Sequence, residues 1–257
     1  MPSSKSDSAV ASTVSARFLA AGDTALVVEL GDTVDRKISA QVLALSDKVE
    51  AAGIPGVVET VPTFRSLMVH YDPLLTSQAR VQAAVLPILA TIGDATSKPG
   101  RLWVLPTCYA PEFGIDLAET AERTGLKVPD VIELFAGTTF HLYMLGFLPG
   151  HPYLGDAPSA LHLPRRSSPR VRVAAGSIAT AVGLAVIYPL ETPGGWHILG
   201  RTPVRAYDRR RDPAVFFAPN DQLQFPPISR EEYDALDAKA AAGILDISPA
   251  PPVGDGS

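Results

Sequence analysis

The residues able to do chemistry crowd into one part of this chain. Gly146-Phe147-Leu148-Pro149-Gly150-His151-Pro152-Tyr153-Leu154-Gly155 sets a histidine among glycines and prolines that specify an unusual backbone. Such a loop presents N–H groups and aromatic faces in fixed geometry. His151 is the group there able to move a proton, since an imidazole ordinarily titrates close to neutral pH. Phe147, Pro149 and Tyr153 read as the wall of a cleft around this candidate catalytic residue. Downstream, Pro164-Arg165 and Pro169-Arg170 place two guanidiniums on stiff turns near Gly176-Ser177, and a rigid planar donor fork suits a carboxylate or phosphate. Tyr188-Pro189-Leu190-Glu191-Thr192-Pro193-Gly194-Gly195-Trp196-His197 follows, and Gly194-Gly195 permits positive φ and close approach of a ligand. Arg201, beside Pro203, completes the candidate binding set.

Each of these residues also has a plainer reading. Gly150, Gly194, Gly195 and their prolines suit barrel turns, and Trp196 in the run WHIL suits a core or an interface. Arg165 and Arg170 suit ion pairs or the covering of apolar surface. His141 alternates with apolar neighbours and reads as a satisfied strand residue. His70, His162 and His197 are isolated, and no pair shows metal-ligand spacing, so no metal site is expected. Cys108, with no basic neighbour to lower its pKa, reads as packing, and no glycine-rich phosphate loop assigns ATP to this chain by itself.

The elements that must position these residues follow from periodicity. Residues 25–30 read as a strand. Asp35 then caps a helix carrying Ile38, Val42, Leu45 and Val49 on one face. Gly56–Val61 and Leu67–Tyr71 suggest a hairpin, and 77–92 a second helix with Val81, Val85, Leu89 and Ile92 aligned, though Pro87 interrupts it. RLWVL after Gly100 would complete a β-α-β-β-α-β, ferredoxin-like order. Asp116–Arg123 and Pro129–Phe135 predict two short helices broken at Thr124-Gly125. From Phe140 the pattern is strand-like: FHLYMLGF, VRVA, SIATA, LAVIYPL, WHILGR and VRAYD, each bounded by Gly or Pro, which reads most economically as a closed or nearly closed β-barrel. Ser229 and Glu232 open a capping-box helix over Ile228–Ala242.

The expected class is thus α+β. A disordered segment over 1–16 precedes an N-terminal α/β domain over 17–100. A connecting strand and helices over 101–136 lead to a barrel with its C-terminal helix over 137–243, and a tail covers 244–257. Half of the 24 prolines fall between Tyr143 and Pro227, which excludes long helices there. Lys+Arg number 22 against 27 Asp+Glu, a net charge of −5, so no nucleic-acid stripe is expected. Apolar residues at 46% and charged ones at 19% indicate a sizeable core. A single cysteine, no signal peptide and no membrane-spanning run point to a soluble cytoplasmic protein.

Phe147 to Pro203 resembles the KipI family, also called the B subunit of bacterial 5-oxoprolinase or allophanate hydrolase subunit 1, whose pattern runs GFxPGFxYL, PRxxPRxxVPAGS and YPxxSPGGWxxIGRT. Gly22-Asp23-Thr24-Ala25-Leu26-Val27-Val28 is similar to its GDxALxV opening, Gly56-Val57-Val58-Glu59 with Pro62 and Tyr71-Asp72-Pro73 to its second signature, and Cys108-Tyr109 with Asp116-Leu117 to its linker region. The resemblance implies a cyclophilin-like C-terminal barrel and a homologous partner, KipA, also called the C-type subunit. With a LamB/YcsF-like third subunit, the pair acts on 5-oxoproline, a small polar substrate, at the expense of ATP bound by the assembled complex. The expected function is one subunit of an ATP-dependent 5-oxoprolinase-type amide-bond hydrolase. Two other classes stay open: a kinase-inhibiting or peptide-binding module of KipI type, and half of the carboxyltransferase of a biotin-dependent urea carboxylase. The sequence departs from the pattern at His151, where the family usually has Phe, and at Phe135, where many members carry His. Leu184-Ala185-Val186 replaces the polar part of a stretch usually reading GQTGIYP, so a changed substrate class is one consequence to expect.

Overall fold

The computed structural model describes residues 15–93, 95 and 100–250. The chain divides into two compact units between Ser97 and Lys98. In the first, β1 (Arg17–Ala21) turns at Gly22, φ +63°, into β2 (Ala25–Glu29). Helix α1 (Arg36–Ala51), β3 (Val57–Pro62), β4 (Ser66–Tyr71) and α2 (Gln78–Leu89) follow, and the antiparallel sheet runs β1-β2-β4-β3. The carboxylate of Asp35 accepts from the Lys37 and Ile38 N–H groups at 2.8 and 3.0 Å, supplying acceptors that the first helical turn lacks. Leu26, Val28, Leu67 and Val69 alternate inward along their strands and meet Val42, Leu45, Val49, Val81, Val85 and Leu89 of the two helices. Pro87 falls in the last turn of α2, so the bond it cannot donate and the crowding of its ring disturb only the end of the helix.

The ferredoxin-like order is corrected in one strand. RLWVL contributes β5 (Leu102–Val104), which pairs parallel to β13 (Gln222–Gln224) in the second unit, and the fourth strand of the first sheet is β1 instead. β1 escaped notice because its residues are mostly exposed, so no alternation marks it.

The second unit continues with α3 (Leu117–Thr124), α4 (Val128–Ala136), β6 (Phe140–Leu145), β7 (Pro152–Gly155), β8 (Arg170–Val173), β9 (Ser177–Ala181), β10 (Leu184–Ile187), β11 (Thr192–Gly194), β12 (His197–Arg201), β13 and α5 (Arg230–Ala242). Seven strands run in the order β12-β9-β10-β7-β6-β13-β5. The sheet curls, and an isolated bridge ties β12 to the segment after β5: the Cys108 N–H donates to the Arg201 carbonyl at 2.8 Å and the Arg201 N–H donates to the Cys108 carbonyl at 2.9 Å. β8 and β11 form a separate two-stranded ribbon, and VRAYD forms no strand beyond a bridge from Tyr207 to Val215.

Residues 101–136 are part of this unit's core. Trp103, Leu117, Val131 and Phe135 pack with Phe140, Leu142, Leu154, Ile178 and Leu199. Leu245 and Ile247 of the 244–257 segment lie against the same core, and Leu102 bridges Ala250. Residues 1–14 and 251–257 of the two terminal segments lie outside the described residues. Among the described residues no helix is long and apolar enough to cross a membrane.

Candidate functional site

The strand ladder sorts side chains into two layers. Tyr153 of β7 lies opposite Val186 of β10, and Leu154 opposite Ala185. Leu154 and Ala185 enter the main core, so Tyr153 and Val186 emerge on the other face. There they join Val173, Ala179, Tyr188, Trp196 and Ile198 in a second apolar cluster. Leu184 packs against it, so the apolar replacements at 184–186 extend both layers.

His151 stands at the edge of this second layer, 3% exposed. Its ring meets Tyr153 at 5.0 Å between centroids and Phe147 and Tyr188 at 5.5 Å, all edge to face. Burial pushes the imidazole pKa down to about 4. The group is therefore neutral near pH 7, which corrects the expectation of a proton carrier titrating there. Its Nδ1 is buried without a hydrogen-bond partner. The loop backbone is as unusual as its composition implies, with Phe147 at φ +68° and Gly150 at φ +73°. A Cβ on Gly150 would lie 2.9 Å from the Ala206 carbonyl oxygen, so this glycine is demanded by packing. Phe147 and Pro149 are exposed.

Tyr188 is buried, which pushes its phenol pKa up to about 12, and the Trp196 N–H donates to its oxygen. Gly194 leaves room for this hydroxyl, because a Cβ there would collide with it. Neither Gly194 nor Gly195 has positive φ; the space they free is filled by Tyr188 and by Pro169. Burial also raises the Tyr153 pKa, against the opposing charge of Arg165. The exposed Arg165 holds its guanidinium 5.4 Å from the Trp196 ring centroid. Among the described residues no carboxylate pairs with it. His151, Tyr153, Tyr188, Gly194, Trp196 and Arg165 thus form one constellation: neutral polar rings beneath one unpaired cation.

Arg170 and Arg201 serve elsewhere. Both terminal nitrogens of Arg170 donate to the carboxylate of Asp116, one at 2.9 Å. Arg201 lies over the Phe113 ring at 4.7 Å and hydrogen-bonds Tyr233, on the side covered by α5. Gly176, φ +81°, faces the Thr202 carbonyl oxygen at 2.5 Å from an imagined Cβ, and its N–H donates to Tyr188 at 2.7 Å. Ser177, buried, accepts from the Tyr188 N–H through its carbonyl. Both support Tyr188 from behind. Phe135 packs against Phe140 and Phe225 in the core.

The residue that sequence reasoning missed is Asp116. Expected as the first residue of a helix, it precedes α3 and its side chain makes no capping hydrogen bond. It is 1% exposed and accepts from Arg170, from Arg166 at 3.2 Å and from the Ile198 N–H at 2.7 Å. An aspartate before a helix that also lies upstream of an Arg-Arg-x-x-x-Arg run is the one signal that could have raised it.

A curled seven-stranded sheet with a ring-lined outer layer, following a separate four-stranded sheet with two helices, defines the class. Residues 16–217 match the family described as carboxyltransferase domain, subdomain C and D. The chain belongs to that family and, within it, to the group formed by the B subunits of 5-oxoprolinase. It is 33% identical to the 5-oxoprolinase B subunit of Bacillus subtilis, covering 83% of this chain and 93% of the relative. The Escherichia coli protein of that name is also 33% identical, over 82% and 96%. The crystal structure of TTHA0988 superposes with a TM-score of 0.70 at 32% identity, covering 80% of this chain, which spans 40% of that longer chain. The urea amidolyase of K. lactis shares the fold, with a TM-score of 0.79 at 20% identity.

Proposed function

We propose that this chain is the B-type subunit of an ATP-dependent 5-oxoprolinase, a cytoplasmic amide-bond hydrolase assembled with a KipA-like, C-type subunit and a LamB/YcsF-like subunit. The observation that carries this reading is the end-to-end match to relatives of that name, at 33% identity over 93% of the Bacillus subtilis protein. The site agrees in chemistry. 5-Oxoproline offers one carboxylate and one planar lactam. Arg165 supplies a guanidinium above Trp196 with no ion pair among the described residues, and the buried rings of His151 and Tyr188 with the half-buried ring of Tyr153 supply neutral polar edges. His151, held neutral, binds and orients through hydrogen bonds and does not carry charge.

Among the described residues, helices α1 to α5 open on Asp35, Ser77, Asp116, Lys127 and Ser229, none behind a run of glycines, and no step through ATP is assigned to them. ATP enters through the assembly. Nor do these residues assign biotin to this chain; the carboxyltransferase reading rests on the urea amidolyase likeness, at 24% identity and covering 13% of the Lachancea kluyveri protein, and ranks second.

The test is reconstitution. Co-expressed with its C-type and LamB/YcsF-like partners, the chain is expected to co-elute with the C-type subunit and to be required for 5-oxoproline-dependent ATP hydrolysis that opens the lactam to glutamate. Separate elution at micromolar concentration, or full activity without this chain, overturns the reading.

A further inference from the structure

Arg165 is exposed on a segment with no regular secondary structure, yet its guanidinium stands over one ring. The segment is strapped on either side of it. The Pro164 carbonyl pairs with His197 Nε2 at 2.9 Å. Arg166 donates from its backbone to the Gly195 carbonyl at 2.8 Å and from its side chain to Asp116 and Glu119. Arg170, where the segment becomes β8, closes both terminal nitrogens on Asp116. Of these anchors, Asp116 alone holds two points of the segment at once. It is itself fixed, because its own N–H donates to the Ile198 carbonyl at 3.0 Å while its carboxylate accepts from the Ile198 N–H at 2.7 Å. Ile198 is two residues from Trp196, so one buried carboxylate ties β12, which begins directly after the ring's residue, to the segment carrying the cation.

We propose that Asp116 is a positioning residue, which through Arg166 and Arg170 holds Arg165 over Trp196 so that its guanidinium meets a substrate carboxylate; the last clause rests on the function proposed above. Among the described residues Arg165 has no ion pair, while Arg166 and Arg170 in the same segment pair with Asp116 and Glu119. A charge held by its backbone and left unpaired is preorganised for an anion arriving from outside, since the ordering of its side chain is in part already met on folding.

Two readouts separate the parts of this proposal. The full chain holds two tryptophans, Trp103 and Trp196, so its 15N spectrum contains two indole N–H signals, assigned with Trp196→Phe. In Asp116→Asn the Trp196 signal is expected to move toward its position in Arg165→Gln. The Trp103 signal, from the core, is expected to stay and so reports that the fold is kept. In the reconstituted complex, Asp116→Asn and Arg165→Gln are each expected to raise KM for 5-oxoproline about tenfold, the value of one charge-assisted contact, with kcat little changed. The double variant is expected to lose no more than Arg165→Gln alone. A Trp196 signal unmoved by Asp116→Asn, or fully additive KM losses, overturns the positioning role. A moved signal with KM unchanged in both single variants sustains the positioning role and overturns the carboxylate reading of Arg165. Should Asp116→Asn not fold, Arg170→Gln carries the same expectations, because Asp116 then keeps Arg166 and the Ile198 N–H.

Discussion

His151 shows how burial decides what a titratable residue does. Its proton is bound only below about 4 in the folded chain, against an ordinary value of 6.5, because removing the ring from water disfavours the imidazolium. Between those two values the unfolded chain binds the extra proton. Stability is therefore whole above about pH 6.5 and falls as pH drops toward 4, by at most ~1.4 kcal/mol per pH unit from this group. His151→Phe, which restores the family's usual residue, is expected to abolish that contribution. Urea unfolding at several pH values checks it: the stability of the variant relative to the natural chain should grow steadily from about pH 6.5 down to pH 4. A constant difference across that range would show that His151 takes up its proton equally in both states. Asp116 is as deeply buried, held by hydrogen bonds from Arg166, Arg170 and the Ile198 N–H, and its signal in the sequence was faint. Its partners lie 50 and 54 positions away, and no local pattern announces them.

At the scale of elements, local signals were reliable where the whole cause was local. Helix α5 opens with the Ser229 hydroxyl accepting from the Glu232 N–H at 3.1 Å, and the Glu232 carboxylate returns to the Ser229 N–H at 2.8 Å. Ser229→Ala is expected to cost about 1 kcal/mol, measured as a lower urea midpoint with unchanged slope. A cost near zero would mean that α5 is held by its far end, where Arg210 donates to the Ala240 and Ala241 carbonyls. Helices α1 to α4 were likewise legible from period and caps. Strand pairing was not, because it is a relation between distant segments. RLWVL is a correct strand placed in the wrong sheet: its partner, Gln222–Gln224, is a three-residue strand with one buried side chain, too short to show a period. For the site, the Gly/Pro spacing located the loop and the Tyr188–Trp196 turn. It could not show that Arg170 is spent on Asp116, nor that Arg201 turns toward α5.

At the scale of the molecule, the apolar layer under β8 and β11 is filled by its own rings, and Phe147 is left 65% exposed beside His151. Phe147 also holds a left-handed backbone at φ +68°, a conformation that costs a residue with a Cβ about 1 kcal/mol relative to glycine. The strain is a cost to the folded chain, and a ring this exposed recovers little burial to offset it, as suits a side chain that a partner covers. In the longer TTHA0988 chain, of which this fold spans 40%, further polypeptide accompanies it, and a C-type subunit is its proposed counterpart here. An aromatic anchor buried at an interface commonly carries about 2 kcal/mol or more of binding, roughly thirtyfold in affinity. Phe147→Gly therefore separates the two effects by sign. The variant chain alone is expected to unfold at the same temperature or a slightly higher one, since the glycine relieves the backbone while little ring burial is lost. Its affinity for the C-type subunit, measured by titration calorimetry, is expected to fall by about thirtyfold. Loss of stability with unchanged affinity would place the value of Phe147 in its contact with His151 and not in assembly.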